Sequence, residues 1–270
     1  MRATFAPSVD LHFFKLRMRP ADCACQHVMS QQMSVDPPCH LLSASDGLGN
    51  EVQYGSYSAT HDHFCVQSEG TVECSDYLLP DEAPSHIWLC ASPLASWDDE
   101  LRLWASRCAN DDSRTCGHHD VAITGNAARQ QAQQLMHAVH ERLHYERFAT
   151  DNGTTALDVF RSRHGVCQDF AHLMIAACRA LGLRARYVNG LVAGEGETHA
   201  WVEVHDGHCW HGYDPTRDLV IQTGYIRLAQ GRDVSDCPSN RGRIYRWTDE
   251  LLTVHAEVCE IQNSEFIIDN

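Results

Sequence analysis

The sequence predicts an α+β protein: a β-rich N-terminal domain at residues 1–80, then a domain at 86–270 with helices packed on an antiparallel sheet. Three observations carry this. Short alternating runs at Leu11–Met18, His27–Val35 and His61–Val66 are separated by Pro37-Pro38 and the Gly47–Asn50 turn region, which is period-two patterning punctuated by turn formers. Two later stretches switch to the three-to-four spacing of amphipathic helices. Alternation then returns at His199–Asp214 around an Asp-Gly pair, the signature of a tight hairpin.

Taken in order, the alternating runs up to residue 80 are strands, and Pro80 to Pro84 is a linker. Ile87 to Cys108 carries apolar and acidic residues at helical spacing, with Trp88, Trp97, Leu101 and Trp104 as packing positions. Asn110 to Gly117 is polar and loop-like. Ala127 to Tyr145 is a helix whose apolar stripe is Leu135, Met136, Val139 and Leu143. A helical turn at Leu157–Ser162 leads to a longer helix. There Phe170, Leu173, Met174, Ala177, Cys178 and Leu181 keep helical spacing, and Gly182 stops the run. A strand at Arg184–Leu191, the hairpin and a closing strand within Leu251–Ile261 complete the chain.

The chemistry is concentrated in Gly165-Val166-Cys167-Gln168-Asp169, Thr198-His199-Ala200-Trp201 and Tyr213-Asp214-Pro215-Thr216. Gly165 permits a tight entry, so Cys167 sits at a helix N-terminus, where unpaired N–H groups and the positive dipole end stabilise a sulfur anion. Along the hairpin, Ala200, Val202 and Val204 share one face, and His199, Trp201 and Glu203 the other. A two-residue Asp206-Gly207 loop pairs His205 with His208 and sets His199 directly opposite Asp214. Their Cβ atoms are then about 4.5–5.5 Å apart, within reach of an imidazole–carboxylate hydrogen bond. That bond would fix the ring tautomer and stabilise the imidazolium formed when the ring takes a thiol proton. A thiol, an imidazole and a carboxylate so arranged point to nucleophilic acyl transfer.

The stretch Thr154 to Thr216 resembles the bacterial transglutaminase-like superfamily, whose members are described as cysteine proteases with a papain-like core. The matching residues are Thr154–Asp158, Gly165–His172, Leu181–Val188, His199-Ala200-Trp201-Val202-Glu203 and Asp214-Pro215-Thr216. Leu16-Arg17-Met18-Arg19-Pro20 and Asp46-Gly47-Leu48-Gly49-Asn50 are similar to elements of the β-rich region that precedes that core. The resemblance implies a papain-like transglutaminase core, with Cys167 as nucleophile, His199 as base and Asp214 as orienting acid. It also implies hydrolysis of peptide or glutamine-type amides through a thioester, with an amine as the other acyl acceptor. The substrate is a peptide or protein, and no metal or organic cofactor is required.

Two rival readings have specific grounds. His140-Glu141-Arg142-Leu143-His144 matches HExxH, which on one helix face binds zinc. The apolar stripe runs through this segment at Leu143, however, and a third ligand has to come from Asp158 or Asp169. The other rival is a non-catalytic protein that uses the same cleft to bind peptide. Asp169 is expected to cap the Cys167 helix and Trp201 to pack. His61, His63, His118, His119, His205 and His208 are expected in solvent. Cys178 and Cys209 are expected as buried spacers, and Cys23 and Cys25 as free thiols, being too close for an ordinary structural disulfide.

Composition sets the outer limits. A formal charge of −15 opposes nucleic-acid binding and docking to an anionic membrane. No apolar run is long enough to span a bilayer, and residues 1–20 lack the apolar centre of a secretory signal. Thirteen cysteines, an odd number without a CxxC pair, agree with a reducing cytoplasm.

Overall fold

The computed structural model describes residues 1–80, 85–109, 123–244 and 248–261. Its centre is an antiparallel sheet ordered Leu219–Val220, Cys209–Asp214, His199–His205, Arg184–Val192 and Tyr225–Gly231, with Leu78–Pro80 also paired to the Cys209–Asp214 strand. Among the described residues four α-helices accompany it: α1 (Asp99–Cys108), α2 (Gly125–Arg142), α3 (Ala156–Ser162) and α4 (Cys167–Ala180). Helices on an antiparallel sheet after a β-rich region are the expected α+β architecture.

Helix α4 is buried continuously from Asp169 to Ala180, because its sequence is apolar almost all round. Ala200, Val202 and Val204 pack with Ala171, Leu173 and Ile175 in the larger core. On the other face Trp201 belongs to a second cluster, in which it packs edge-on to Tyr77 and Tyr225 while Trp88 packs on Trp210. Caps fix two of the other helix starts. Asp98 Oδ1 accepts from the Leu101 N–H at 2.9 Å, and Thr155 and Asp158 exchange side-chain and backbone bonds as a capping box.

The helical expectation for Ile87–Cys108 is corrected. A 3-10 turn at His86–Leu89 and α1 are separated by non-helical chain containing Pro93, which lacks an N–H and disfavours helix at Ser92. The second helix also ends early, at Arg142. Leu143 is extended, and His144-Tyr145 pairs in parallel with His164-Gly165. Asn110–Gly117, His118 and His119 lie outside the described residues.

The β-rich region is two four-stranded sheets that share a core of Phe5, Val9, Phe14, Leu16, Phe64 and Val66. One sheet is ordered Asp249–Thr253, Arg2–Val9, His61–Cys74, Gln26–Asp36. The other is ordered Asn240–Ile244, His12–Leu16, Glu51–Tyr57, Leu42–Ser45. Strand pairing therefore crosses the expected 80/86 division in both directions: Leu78–Pro80 joins the central sheet, and two C-terminal strands complete the N-terminal sheets. His61, expected in solvent, is buried and stacked on His12 with ring centroids 5.7 Å apart, since it opens a strand whose inward face is aromatic.

The Asp46–Asn50 turn joins the two regions. Asp46 accepts from Arg17 at 3.0 Å and from the Leu48 and Asn50 N–H groups. Gly49 takes φ +81°, a conformation glycine adopts without penalty. Asn50 then exchanges two bonds with the Gln230 backbone, at 2.8 and 2.7 Å. Among the described residues no helix is long and apolar enough to cross a membrane.

Candidate active site

Cys167 is the first residue of α4, after an extended Val166. Asp169 Oδ2 accepts from the Val166 N–H at 2.8 Å and from the Thr150 hydroxyl at 2.6 Å, so Asp169 holds the helix entry as expected. Gly165 makes room for this carboxylate, since a Cβ there would lie 2.6 Å from the Asp169 Cβ. Burial raises the pKa of Asp169 above the usual carboxylate range, against the two hydrogen bonds that favour its charge.

The hairpin register differs from the expected one. His205 pairs with Trp210 and Val202 with Tyr213, so the loop spans Asp206–Cys209 rather than Asp206-Gly207 alone. Asp206 stabilises the longer loop by accepting from the His208 and Cys209 N–H groups, both at 3.0 Å. His199 consequently lies diagonal to Asp214. Because side chains alternate with period two, a slip of two residues leaves both on the same face. The side chains close the remaining gap, and His199 Nε2 lies 2.7 Å from Asp214 Oδ2. His205, expected in solvent, is buried against Trp210 and accepts from the Gly207 N–H.

Asp214 is fully buried and fully used. Oδ1 accepts from the Thr216 and Arg217 N–H groups at 2.9 and 3.2 Å, and Oδ2 accepts from the Tyr225 hydroxyl at 2.7 Å. Burial raises its pKa, but the hydrogen bonds and the His199 charge prevail and hold it below the usual value. His199 moves the opposite way. Burial disfavours the imidazolium, yet the hydrogen bonds to Asp214 and Cys167, reinforced by their negative charge, lift its pKa to about 9.

Cys167 and His199 line one cavity of about 320 Å³, with Tyr145 and Phe148 among its walls. Phe148 is 96% exposed with φ +65°, an outward-turned aromatic at the cavity rim. Gly194–Gly196 and Ala256–Val258 form a two-stranded ribbon, and Gly194, Gly196 and Ala256 also line the cavity. The structure thus brings Cys167, His199 and Asp214 to one place.

Trp201 lies behind this site as a packing residue, not a cavity wall. It stacks on His199, and its indole N–H donates to the Tyr77 hydroxyl at 2.7 Å. Tyr77 in turn donates to the buried Glu203, which is paired with Arg186 and with Arg227 at 2.7 Å. Tyr77 and Tyr225 are absent from the sequence-derived site. No local pattern marks them, because each is one aromatic in a short run and only strand order delivers its hydroxyl.

The HExxH segment does not form a metal site. His144 lies beyond the end of α2, so it shares no helix face with His140, whose Nδ1 is 3.1 Å from the Pro215 carbonyl oxygen. Among the described residues no group of three His, Cys, Asp or Glu side chains could hold a metal ion.

Residues 119–215 match the family model of the transglutaminase-like superfamily, and residues 1–73 that of the bacterial transglutaminase-like N-terminal region. An uncharacterized protein of Mycobacterium tuberculosis is 29% identical over 253 residues, covering 84% of this chain and 80% of its own. Another from Mycobacterium leprae is 28% identical over 248 residues, covering 85% of each chain. A crystal structure named "Putative Cysteine Protease" from Cytophaga hutchinsonii has the same fold, with a TM-score of 0.73 at 22% identity over 95% of this chain and 86% of that one.

Proposed function

Because the chain joins a bacterial transglutaminase-like N-terminal region to a transglutaminase-like core and so belongs to that superfamily, we propose a thiol-dependent acyl-transfer enzyme with Cys167, His199 and Asp214 as its triad. The observation that carries the reading is the 2.7 Å His199–Asp214 contact beside a cavity that Cys167 also lines. With a pKa of about 9, His199 holds its proton at neutral pH, so the acid required by a leaving amine is already in place. Cys167 Sγ, having passed its proton to His199, attacks the carbonyl carbon of a peptide or glutamine-type amide. The N–H at the start of α4 is the donor this reading assigns to the developing oxyanion. His199 returns that proton to the departing amine, leaving a thioester on Cys167 and a neutral imidazole, and Asp214 stabilises the imidazolium until that transfer.

Water resolving the thioester makes the enzyme a peptidase or amidase, the outcome favoured here by family resemblance; an amine makes it a transglutaminase. The test is Cys167→Ala. The variant is expected to lose turnover of peptide amides and the fast iodoacetamide labelling mapped to the Cys167 peptide, while chelators leave the parent enzyme active. Turnover retained by Cys167→Ala, or lost to chelator, would refute the proposal.

A further inference from the structure

Cys23 and Cys25 take no part in the reaction above, and neither lines the cavity of Cys167. Their sulfurs nevertheless lie 3.5 Å apart. A tight turn holds them there: the Cys23 and Gln26 backbones exchange N–H···O bonds at 3.0 and 3.2 Å. The turn is anchored by Gln26, whose side chain donates to the Ala21 and Arg227 carbonyls and accepts from the Arg227 N–H at 2.7 Å. Cys25 is buried in the aromatic cluster, whereas Cys23 at its edge is only partly buried and can meet a small solute.

The surroundings differentiate the two thiols. The hydrogen bond from Cys25 depresses the Cys23 pKa most, burial opposes it, and the neighbouring Arg227 guanidinium adds to the lowering. Cys25 is pushed up by the same hydrogen bond, by burial and by the Cys23 charge. The other charged or titratable groups facing the pair are Glu203, bonded to Arg227, Tyr77, which packs in the same cluster as Cys25, and Cys74, the strand partner of Gln26. A partly buried thiolate with a second thiol in contact is the arrangement of an attacking and a resolving cysteine.

We propose that Cys23 and Cys25 form a redox-active dithiol, a modification site for hydroperoxides that is separate from the Cys167 cavity and closes reversibly into a disulfide. The Cys23 thiolate attacks the terminal oxygen of the hydroperoxide. An S–O bond forms, the O–O bond breaks, and the departing alkoxide or hydroxide takes up the proton Cys23 released. The Cys25 sulfur then attacks Cys23 Sγ, forming the S–S bond and expelling hydroxide, which leaves as water with the Cys25 proton. Two thiols are oxidised and one hydroperoxide is reduced. With only Ala24 between the cysteines the closed ring is strained, which makes the bond readily reducible rather than structural.

The site is independent of the proposed activity, so its test uses Cys167→Ala protein. One equivalent of hydrogen peroxide is added, then iodoacetamide, and peptides are mapped by mass spectrometry. Cys23 and Cys25 are expected to lose alkylation together and to regain it with dithiothreitol, while the exposed Cys90 and Cys259 stay alkylatable. With Cys25→Ser added, Cys23 is expected to accumulate as a sulfenic acid trapped by dimedone. With Cys23→Ser added, Cys25 is expected to remain reduced. Oxidation of Cys90 or Cys259 ahead of Cys23, or oxidised Cys23 without a link to Cys25 in the parent pair, would overturn the proposal.

Discussion

At Asp214, N–H and hydroxyl donors from His199, Thr216, Arg217 and Tyr225 converge on one buried carboxylate. Each contact favours the ionised form, whose hydrogen bond and charge, together with those of Cys167, raise His199 to about 9. Asp214→Asn keeps the shape and removes the charge. Its kcat/KM on a peptide amide is expected to fall by about 10²–10⁴-fold, the range associated with general acid–base assistance, with the His199 titration moved to lower pH. Tyr225→Phe removes one neutral donor, an interaction of about 1 kcal/mol, so its loss should stay within roughly tenfold. Steady-state kinetics across pH compare the two. Equal losses would mean that Asp214 acts through packing rather than charge.

Among the elements, the hairpin shows which features of a strand pair matter to a site. Its loop is longer than the Asp206-Gly207 signal implies, yet the site survives, because face is set by the parity of the register and not by its value. The adjoining strand imposes a sterner condition. A Cβ at Gly190 would lie 2.2 Å from the Ile226 carbonyl oxygen and 2.3 Å from the Trp201 ring, the ring that stacks on His199. Gly190→Ala is therefore expected to destabilise the protein by about 1–3 kcal/mol, as overpacking does, and to lower kcat with it. Gly47→Ala, with nothing within 4 Å of the added Cβ, should shift stability by no more than about 0.5 kcal/mol. Denaturant melts of both variants test the contrast.

Across the whole molecule, stability is set against acid by buried histidines. His12 in the N-terminal core and His172 on α4 are both lowered to about 4, chiefly by burial, with the His61 charge adding at His12 and Asp233 partly opposing at His172. Unfolding frees each ring to take a proton at its ordinary value of about 6.5. Their contribution is therefore complete above that pH and is lost as pH falls from about 6.5 towards 4, at up to about 1.4 kcal/mol per proton per pH unit. His199 has the opposite sign: its raised pKa contributes fully below about 6.5, and that contribution disappears as pH rises through 9. Thermal melts from pH 4 to 9 should give a dome, and His12→Phe should flatten its acid side. An unchanged acid limb in that variant would refute the assignment of His12.

Legibility in the sequence followed the range of the interaction. The Cys167 helix and the Asp46–Asn50 turn depend on residues a few positions apart, and the shared face of His199 and Asp214 on one hairpin, so spacing and turn chemistry determined them. What only the tertiary structure decided was long-range. Examples are the Tyr225 hydroxyl on Asp214, the Tyr77–Glu203–Arg227 network behind Trp201, the C-terminal strands closing the N-terminal sheets, and the contact that makes Cys23 and Cys25 a pair on a turn clamped to Arg227. The early end of α2 belongs there too, because pairing with His164-Gly165 overrode a continuing helical pattern. Local propensity favours an element only weakly, whereas strand pairing and burial act through partners far away in the chain, and these fix where each element stops and what its side chains touch.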